Sequence, residues 1–278
     1  MQQNLFARID RLFDVGLLAN AHVLIAGCGS GGGNVALLLA MSGVSHFTLI
    51  DKDQLEPENV IRHVCGLRYI GQRKVDALAD VLLDRNPKIV IDKVHDDIMG
   101  SALDNHIRPS TVVVLATDNE PSRYRVNETC VKTQTPFVVG RVFTRGIGGE
   151  VFSYRPRAGG CLACLERVLE RTQFREGIRE IDLVSDQERE ELYGLEIAEI
   201  KDSPGLTVDI SFITAFHTRF VLDSIASRMG VRPKYLSPIA ENYIVWGNRP
   251  IQPFKKNFEL QRIDLRPQEG CLVCGEGA

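Results

Sequence analysis

Two cysteine pairs carry the most legible chemistry in the chain, Cys161-Leu162-Ala163-Cys164 and Cys271-Leu272-Val273-Cys274. Each pair can give two thiolates to one metal ion, and two pairs complete a tetrahedral four-thiolate zinc site with no open position, which makes it structural. A redox CxxC is the alternative, but that motif normally opens a helix of a thioredoxin-like unit, and none is legible here. A second cluster is the glycine run Gly27-x-Gly29-x-x-Gly32, which follows the apolar stretch HVLIA. Gly27 permits a tight turn, Gly29 lets backbone approach a phosphate, and a helix N-terminus beyond it favours negative charge. Asp51, about 20 residues on, suits a pair of ribose hydroxyls. These features fit NAD, FAD or ATP equally.

The next segment separates those options. After Asp51 the chain reads Lys52-Asp53-Gln54-Leu55-Glu56-Pro57-Glu58-Asn59-Val60-Ile61-Arg62-His63, then Gly71-Gln72-Arg73-Lys74. Two cations, Arg62 and Lys74, stand near the phosphate loop. Hydride transfer has little use for them, whereas they stabilise charge developing at phosphorus in a triphosphate. Asp118 ends a predicted strand at the edge where such sheets bind ligands, and a carboxylate there can hold Mg2+ against phosphate oxygens.

These residues need a scaffold, and the pattern of apolar runs supplies one. Predicted strands His22–Ala26, Phe47–Ile50, Thr111–Leu115 and Phe137–Val139, with another beginning at Ile89–Ile91, alternate with predicted helices Asn34–Met41, Gly71–Leu83 and Tyr124–Lys132. Buried strands alternating with helices specify an α/β, Rossmann-like, doubly wound and mostly parallel sheet with helices on both faces. Beyond Gly146 the pattern changes. Gly149–Tyr154, Tyr243–Trp246 and Phe258–Ile263 read as an antiparallel extension, and Pro204–Ala226 as a helix. We expect one domain over 1–278, with a nucleotide-binding half at 1–146 and a zinc-bearing half at 147–278. The charged run 165–203 is expected to be a helical crossover with a solvated face or a lid.

The 278 residues are 44% hydrophobic and 25% charged, with 33 basic and 36 acidic side chains. That is an ordinary soluble composition without the basic excess of a general nucleic-acid binder. No apolar run approaches the roughly 20 residues needed to cross a bilayer. MQQNLFARIDRLFDVG carries acidic residues and no apolar h-region, so a cytoplasmic location is expected. Seven cysteines, an odd count, argue against a disulfide framework.

Taken in order, VLIAGCGSGGGNVA, LIDKDQLEPENVIRH, GQRKVDAL, Asn86-Pro87, ATDNEPSRYRVN, CLAC and CLVC resemble the ThiF/MoeB/HesA superfamily, adenylating enzymes related to the ubiquitin-activating enzymes. The resemblance runs from about Arg8 to Cys274. It implies an ATP-dependent adenylyltransferase that joins the C-terminal carboxylate of a ubiquitin-like or sulfur-carrier protein ending in Gly-Gly to AMP, releasing pyrophosphate. It implies that Gly27, Gly29, Gly32, Asp51, Asp53, Asn59 and Asn119 hold the nucleotide. Arg62 and Lys74 would meet phosphates, Asp118 would orient Mg2+, and the four CxxC cysteines would bind zinc. An N-terminal arginine, Arg8 in preference to Arg11, would reach the partner's site in a homodimer. Many relatives also place a nucleophilic cysteine in the crossover, yet Leu165 to Gly270 contains none. Transfer to an external sulfur donor or a conjugating enzyme is therefore expected, with Cys65 the only other candidate thiol. Alternatives are adenylation of a peptide or small carboxylate in natural-product or tRNA modification, an NAD-dependent oxidoreductase, and an inactive scaffold subunit.

Overall fold

In the computed structural model, residues 5–100, 102–143, 146–172 and 206–275 are described. Eight strands form one sheet in the order β3-β2-β1-β4-β5-β6-β7-β8. Strands β1 (His22–Ala26), β2 (His46–Ile50), β3 (Val90–Val94), β4 (Val112–Leu115) and β5 (Phe137–Phe143) are parallel. Antiparallel pairing adds β6 (Gly148–Tyr154), β7 (Tyr243–Gly247) and β8 (Glu259–Ile263).

Alternating strand residues divide the interior in two. Val23 and Ile25 of β1, Val112 and Val114 of β4 and Trp246 of β7 face one core, which is closed by helices α2 (Ser30–Met41), α3 (Lys74–Arg85) and the long α7 (Thr207–Met229). Leu24, Ala26, Val113, Leu115 and Tyr243 face the other, closed by α4 (Leu103–Ile107), α5 (Glu120–Thr133) and α6 (Leu162–Arg171). A short α1 (Asp10–Phe13) precedes the sheet. No helix among the described residues is long and apolar enough to cross a membrane.

Several boundaries differ from the sequence reading, each for a local reason. Helix α2 starts at Ser30 rather than Asn34, running straight through Gly31, Gly32 and Gly33. Glycine is a poor helix former, but a Cβ on Gly32 would lie 1.9 Å from the Gly27 carbonyl oxygen, so packing against the loop overrides propensity. Gly71 takes a positive φ of 82° at a turn, and α3 begins only at Lys74. Helix α5 starts four residues early because Asn119 caps it, its Oδ1 accepting from the Ser122 amide at 2.9 Å. The five residues of α4 are too few to display a helical period. Helix α7 runs three residues past Ala226 and stops at Gly230, whose φ is +68°. Of the charged run, Leu165–Arg171 forms the end of α6, while 173–203 lie outside the described residues.

Candidate functional site

Strand order reverses at β1, whose neighbours β2 and β4 lie on opposite sides, so a crevice opens at the carboxyl ends of these strands. A cavity of about 480 Å3 occupies that place, lined by Gly27, Gly29, Asp51, Asp53, Asn59, Arg62, Lys74, Asp118 and Asn119 together with residues on its far side. Such a volume suits a small-molecule ligand.

The loop leaving β1 forms its floor. Gly27 takes φ +94°, and a Cβ there would meet the Ala116 carbonyl oxygen at 2.8 Å. Gly29 stands at the N-cap of α2 with open space around it and no side chain to cap the helix, so the first-turn amides stay available to an anion. Asp51 is fixed beneath this loop. Its Oδ2 accepts from the Cys28 amide at 2.7 Å and its Oδ1 from the Asp53 amide at 2.8 Å. Burial raises the pKa of this carboxyl, and its two amide donors and nearby Lys74 oppose that shift.

Lys74 is the first residue of α3, held by its amide on the Asp53 carbonyl at 2.9 Å. Its Nζ donates to Asp53 Oδ2 at 2.9 Å, so Asp53 neutralises Lys74. Asn59 closes a short 3-10 turn: its Oδ1 accepts from the Glu56 amide at 3.1 Å. Arg62 follows on the next turn, and its Nε is buried without a hydrogen-bond partner among the described residues. An unmatched buried guanidinium nitrogen beside a phosphate-type loop invites an anion.

His63, the neighbour of Arg62, joins two walls of the site. Its Nε2 donates to the Cys28 carbonyl at 2.7 Å, and its Nδ1 accepts from the Cys65 amide at 3.0 Å. That pair fixes one neutral tautomer, and burial lowers its pKa. The ring thus ties the turn carrying Asn59 and Arg62 to the glycine loop. A lone histidine has no periodicity to reveal such a role.

Asp118 is exposed at the cavity rim beyond β4. Below it Arg123 donates twice to the Thr117 carbonyl, at 3.1 and 2.8 Å, and pairs with Glu120. Arg141 of β5 donates to Glu166 at 2.9 Å and lies 3.5 Å from Glu150, which in turn accepts from Tyr243 Oη at 2.7 Å. Both arginines line the cavity, as do Ile210, Ile213 and His217 of α7. Arg8 and Arg11 are exposed and do not line the cavity of their own chain.

The seven cysteines divide cleanly. Cys28, Cys65 and Cys130 are buried, and burial raises all three thiol pKa values, that of Cys65 to about 12. A thiol so placed is a poor nucleophile at neutral pH. The other four converge: Cys161 Sγ lies 3.7 Å from Cys271 Sγ and 4.0 Å from Cys164 Sγ, and Cys164 Sγ lies 3.5 Å from Cys274 Sγ. Sulfur separations near these values follow from four thiolates at about 2.3 Å around a tetrahedral ion, so the donor set fits zinc. The Gln268 amide donates to Cys164 Sγ at 3.3 Å, as suits a ligating thiolate.

A family model described as the ThiF family matches residues 6–230. The maize "Adenylyltransferase and sulfurtransferase MOCS3-1" is 32% identical over 149 residues, which cover 53% of this chain and 31% of that protein. The Culex quinquefasciatus MOCS3 is 30% identical over 174 residues, covering 59% and 39%. The chain therefore spans about a third of the length of these curated relatives. Among solved structures, Escherichia coli MccB with AMPCPP and MccA has a TM-score of 0.68 at 20% identity, covering 94% of this chain and 68% of that one. PaaA has a TM-score of 0.64 at 17% identity, covering 90% and 75%. Both structural likenesses speak to the fold.

Proposed function

The chain belongs to the ThiF family, and we propose that it activates a carboxylate with ATP, forming an acyl-adenylate and releasing pyrophosphate. The observation that carries this reading is the convergence of the glycine loop, Asp51, Arg62, Lys74 and Asp118 on one cavity at the switch point of the sheet. The adenosine ribose would hydrogen-bond the cavity side of Asp51. The phosphates would lie on the amides of α2, beside Asn59, Arg62 and Lys74. Lys74 would exchange Asp53 for phosphate as the nucleotide enters. Asp118, with Asp96 and Asp97 nearby on the lining, offers hard oxygen donors suited to Mg2+. When bound, Mg2+ would neutralise phosphate charge and orient the triphosphate.

The substrate carboxylate would enter along Arg141, Ile210 and Ile213. Its oxygen attacks the α-phosphorus as the bond to the pyrophosphate oxygen breaks and that electron pair leaves with pyrophosphate. Arg62 and Lys74 stabilise the charge that builds on the phosphoryl oxygens. Reaction would stop at the adenylate, because the non-zinc cysteines are buried and none lies between Leu165 and Gly270.

We favour a small ubiquitin-like or sulfur-carrier protein as substrate, since the curated relatives are named adenylyltransferase and sulfurtransferase. A separate sulfur donor or conjugating enzyme would then take the product. Adenylation in natural-product synthesis is the second reading, favoured by the fold likeness to MccB, a microcin C7 biosynthetic enzyme. The exposure of Arg8 outside its own cavity supports a homodimer in which it reaches the partner's site, and a cytoplasmic setting suits ATP chemistry. The test is ATP–pyrophosphate exchange with Mg2+ over a panel of Gly-Gly carriers and short peptides. Exchange dependent on one of them and abolished by Asp118→Ala supports the reading. A preference for NAD over ATP overturns it.

A further inference from the structure

Helix α7 lays one stripe of side chains along the cavity, Ile210, Ile213, Thr214 and His217, at the i, i+3, i+4 and i+7 spacing of a single helical face. The first two are apolar. Thr214 donates its hydroxyl proton to the Ser211 carbonyl at 3.1 Å, so its oxygen is left as an acceptor. His217 is 2% exposed, and its Nε2 lies 2.9 Å from the Val138 carbonyl oxygen. A carbonyl only accepts, so the ring proton is on Nε2, and in the neutral ring that burial enforces Nδ1 carries a lone pair. Among the described residues Nδ1 has no hydrogen-bond partner. The ring lies on Gly140, where an added Cβ would meet Nδ1 at 2.7 Å, Cγ at 3.2 Å and Cε1 at 3.4 Å. Both ring carbons stand too close for Gly140 to lie along the in-plane lone pair of Nδ1. The face of the ring covers Gly140, and the lone pair points past it. Val138 precedes Gly140 on the same face of β5, and the two nitrogens of an imidazole point nearly opposite ways. With Nε2 turned back to Val138, Nδ1 is turned toward the carboxyl end of β5, where the cavity lies. Space opens there because the pairing of β4 with β5 ends at Leu115 and Val139, whereas β5 runs on to Phe143.

We propose, on the carboxylate-activating reading above, that His217 Nδ1 is a specificity-determining acceptor, which takes a hydrogen bond from an N–H beside the carboxylate to be activated. The class of acid is then a peptidyl one, whose terminal residues keep their amide N–H, in place of an alkanoic or hydroxy acid. The carboxylate itself does not sit at Nδ1, since both are acceptors. With Thr214 also presenting an oxygen, this wall of α7 offers two acceptors beside two isoleucines, which suits the N–H groups and carbon backbone of an extended chain. An acid that puts an ester oxygen there leaves Nδ1 buried and facing a second lone pair, and a site built to bond an N–H rejects such an analogue. Gly140 belongs to the same arrangement, because any side chain there would displace the ring.

The test compares ATP–pyrophosphate exchange by the full chain on three acids: a hexapeptide ending in Gly-Gly, and two copies in which an ester oxygen replaces the N–H of the last or of the penultimate residue. At least one ester should lower kcat/KM of wild type by about 10–100-fold, the range set by a buried acceptor left without its partner. His217→Phe keeps a ring and removes both nitrogens. In that variant the same ester and the amide should agree within about 2-fold, because the coupling belongs to one atom. A readout outside turnover is the nitrogen NMR spectrum of the histidines in wild type holding a non-hydrolysable ATP analogue. The Nδ1 resonance of His217 should shift when the hexapeptide is added and stay in place with the disfavoured ester. Should His217→Phe fold poorly, this comparison decides alone, and an unmoved resonance with the hexapeptide overturns the inference. Equal use of amide and esters by wild type, or a preference that survives in His217→Phe, also overturns it and leaves adenylation standing. No exchange on any carboxylate by a chain that binds ATP overturns adenylation itself, and this inference with it.

Discussion

Gly29 and Gly32 stand three residues apart, one at the N-cap and one in the first turn of α2, and alanine at each separates packing from ligand binding. At Gly32 a Cβ would lie 1.9 Å from the Gly27 carbonyl oxygen and 3.2 Å from Ala116 Cβ. Real Cβ contacts essentially never fall below 3.0 Å, so backbone must retreat by about 1.1 Å. That carbonyl belongs to a residue whose amide bonds Ile50 at 2.9 Å, so the shift strains the β1–β2 ladder. Overpacking of this kind costs about 3 kcal/mol or more. A chain of 278 residues unfolds with an entropy of about 0.6 kcal/mol/K, so Gly32→Ala should lower Tm by about 5 °C or more. Gly29 is the opposite case. It has φ −71° and ψ −160°, which alanine adopts without strain, and nothing lies within 4 Å of the added carbon. Restricting the unfolded chain should contribute about 0.4–1 kcal/mol, which leaves Tm level or raises it by 1–2 °C, about the size set by that entropy. The methyl would nevertheless stand where the phosphates must approach the amides of α2. Displacing even one charge-assisted hydrogen bond, at about 1.5–3 kcal/mol, weakens ATP binding by about 10-fold or more. Melting curves and calorimetric ATP binding on both variants decide the matter. Gly29→Ala that binds ATP as tightly as wild type would refute the phosphate cradle, and Gly32→Ala with an unchanged Tm would refute the packing argument.

If Arg62 and Lys74 act on developing charge as proposed, Arg62→Ala and Lys74→Ala should each reduce pyrophosphate exchange by about 10²–10³-fold while Tm changes little; full activity in either removes that residue from the mechanism. Cys271→Ser should release one zinc per chain and lower Tm while leaving the ATP affinity of the folded fraction unchanged, measured by metal analysis and calorimetry. His217 is buried, donates to the Val138 carbonyl at 2.9 Å, and has its pKa lowered by burial to about 4. Below pH 6.5 the unfolded chain takes up a proton that the folded chain refuses until about pH 4, so stability falls as pH falls through that window, by about 3 kcal/mol in full. Urea titrations from pH 7 to 4 should show a shallower decline for His217→Gln than for wild type; parallel curves would exclude this residue as the source.

What the sequence revealed follows from which interactions leave a pattern. The parallel strands were legible because β1, β4 and their neighbours are buried on both faces and read as unbroken apolar runs. The glycine loop and the CxxC pairs were legible because their chemistry fixes spacing within a few residues. Pairing across long separations leaves no such trace. Arg141 meets Glu166 and Glu150 from three different elements, and nothing local in its strand announces a charge buried beside the cavity. Asn242 was equally silent, yet its side chain binds the Leu265 amide at 2.6 Å and carbonyl at 3.0 Å, fixing the chain just beyond β8.

These unannounced residues explain how two sites at different places in the fold are held by one sheet. Gly160 donates to the Leu265 carbonyl at 3.1 Å, so the turn entering α6 and the segment leaving β8 are joined at the backbone beside the cysteine cluster. From there β6 runs back and pairs along its whole length with β5, the strand that places Gly140 and Arg141 at the cavity wall. Metal at the cysteines would therefore stiffen the wall along which the proposed carboxylate substrate would enter, without touching the glycine loop. His63 does the complementary work on the other wall, where one fixed tautomer binds the Arg62 turn to Cys28. The glycine-loop wall is thus organised by hydrogen bonds within a short stretch of chain, whereas a metal at the four cysteines would cross-link distant segments behind the opposite wall. Loss of zinc should consequently raise the KM for the carboxylate substrate more than the KM for ATP.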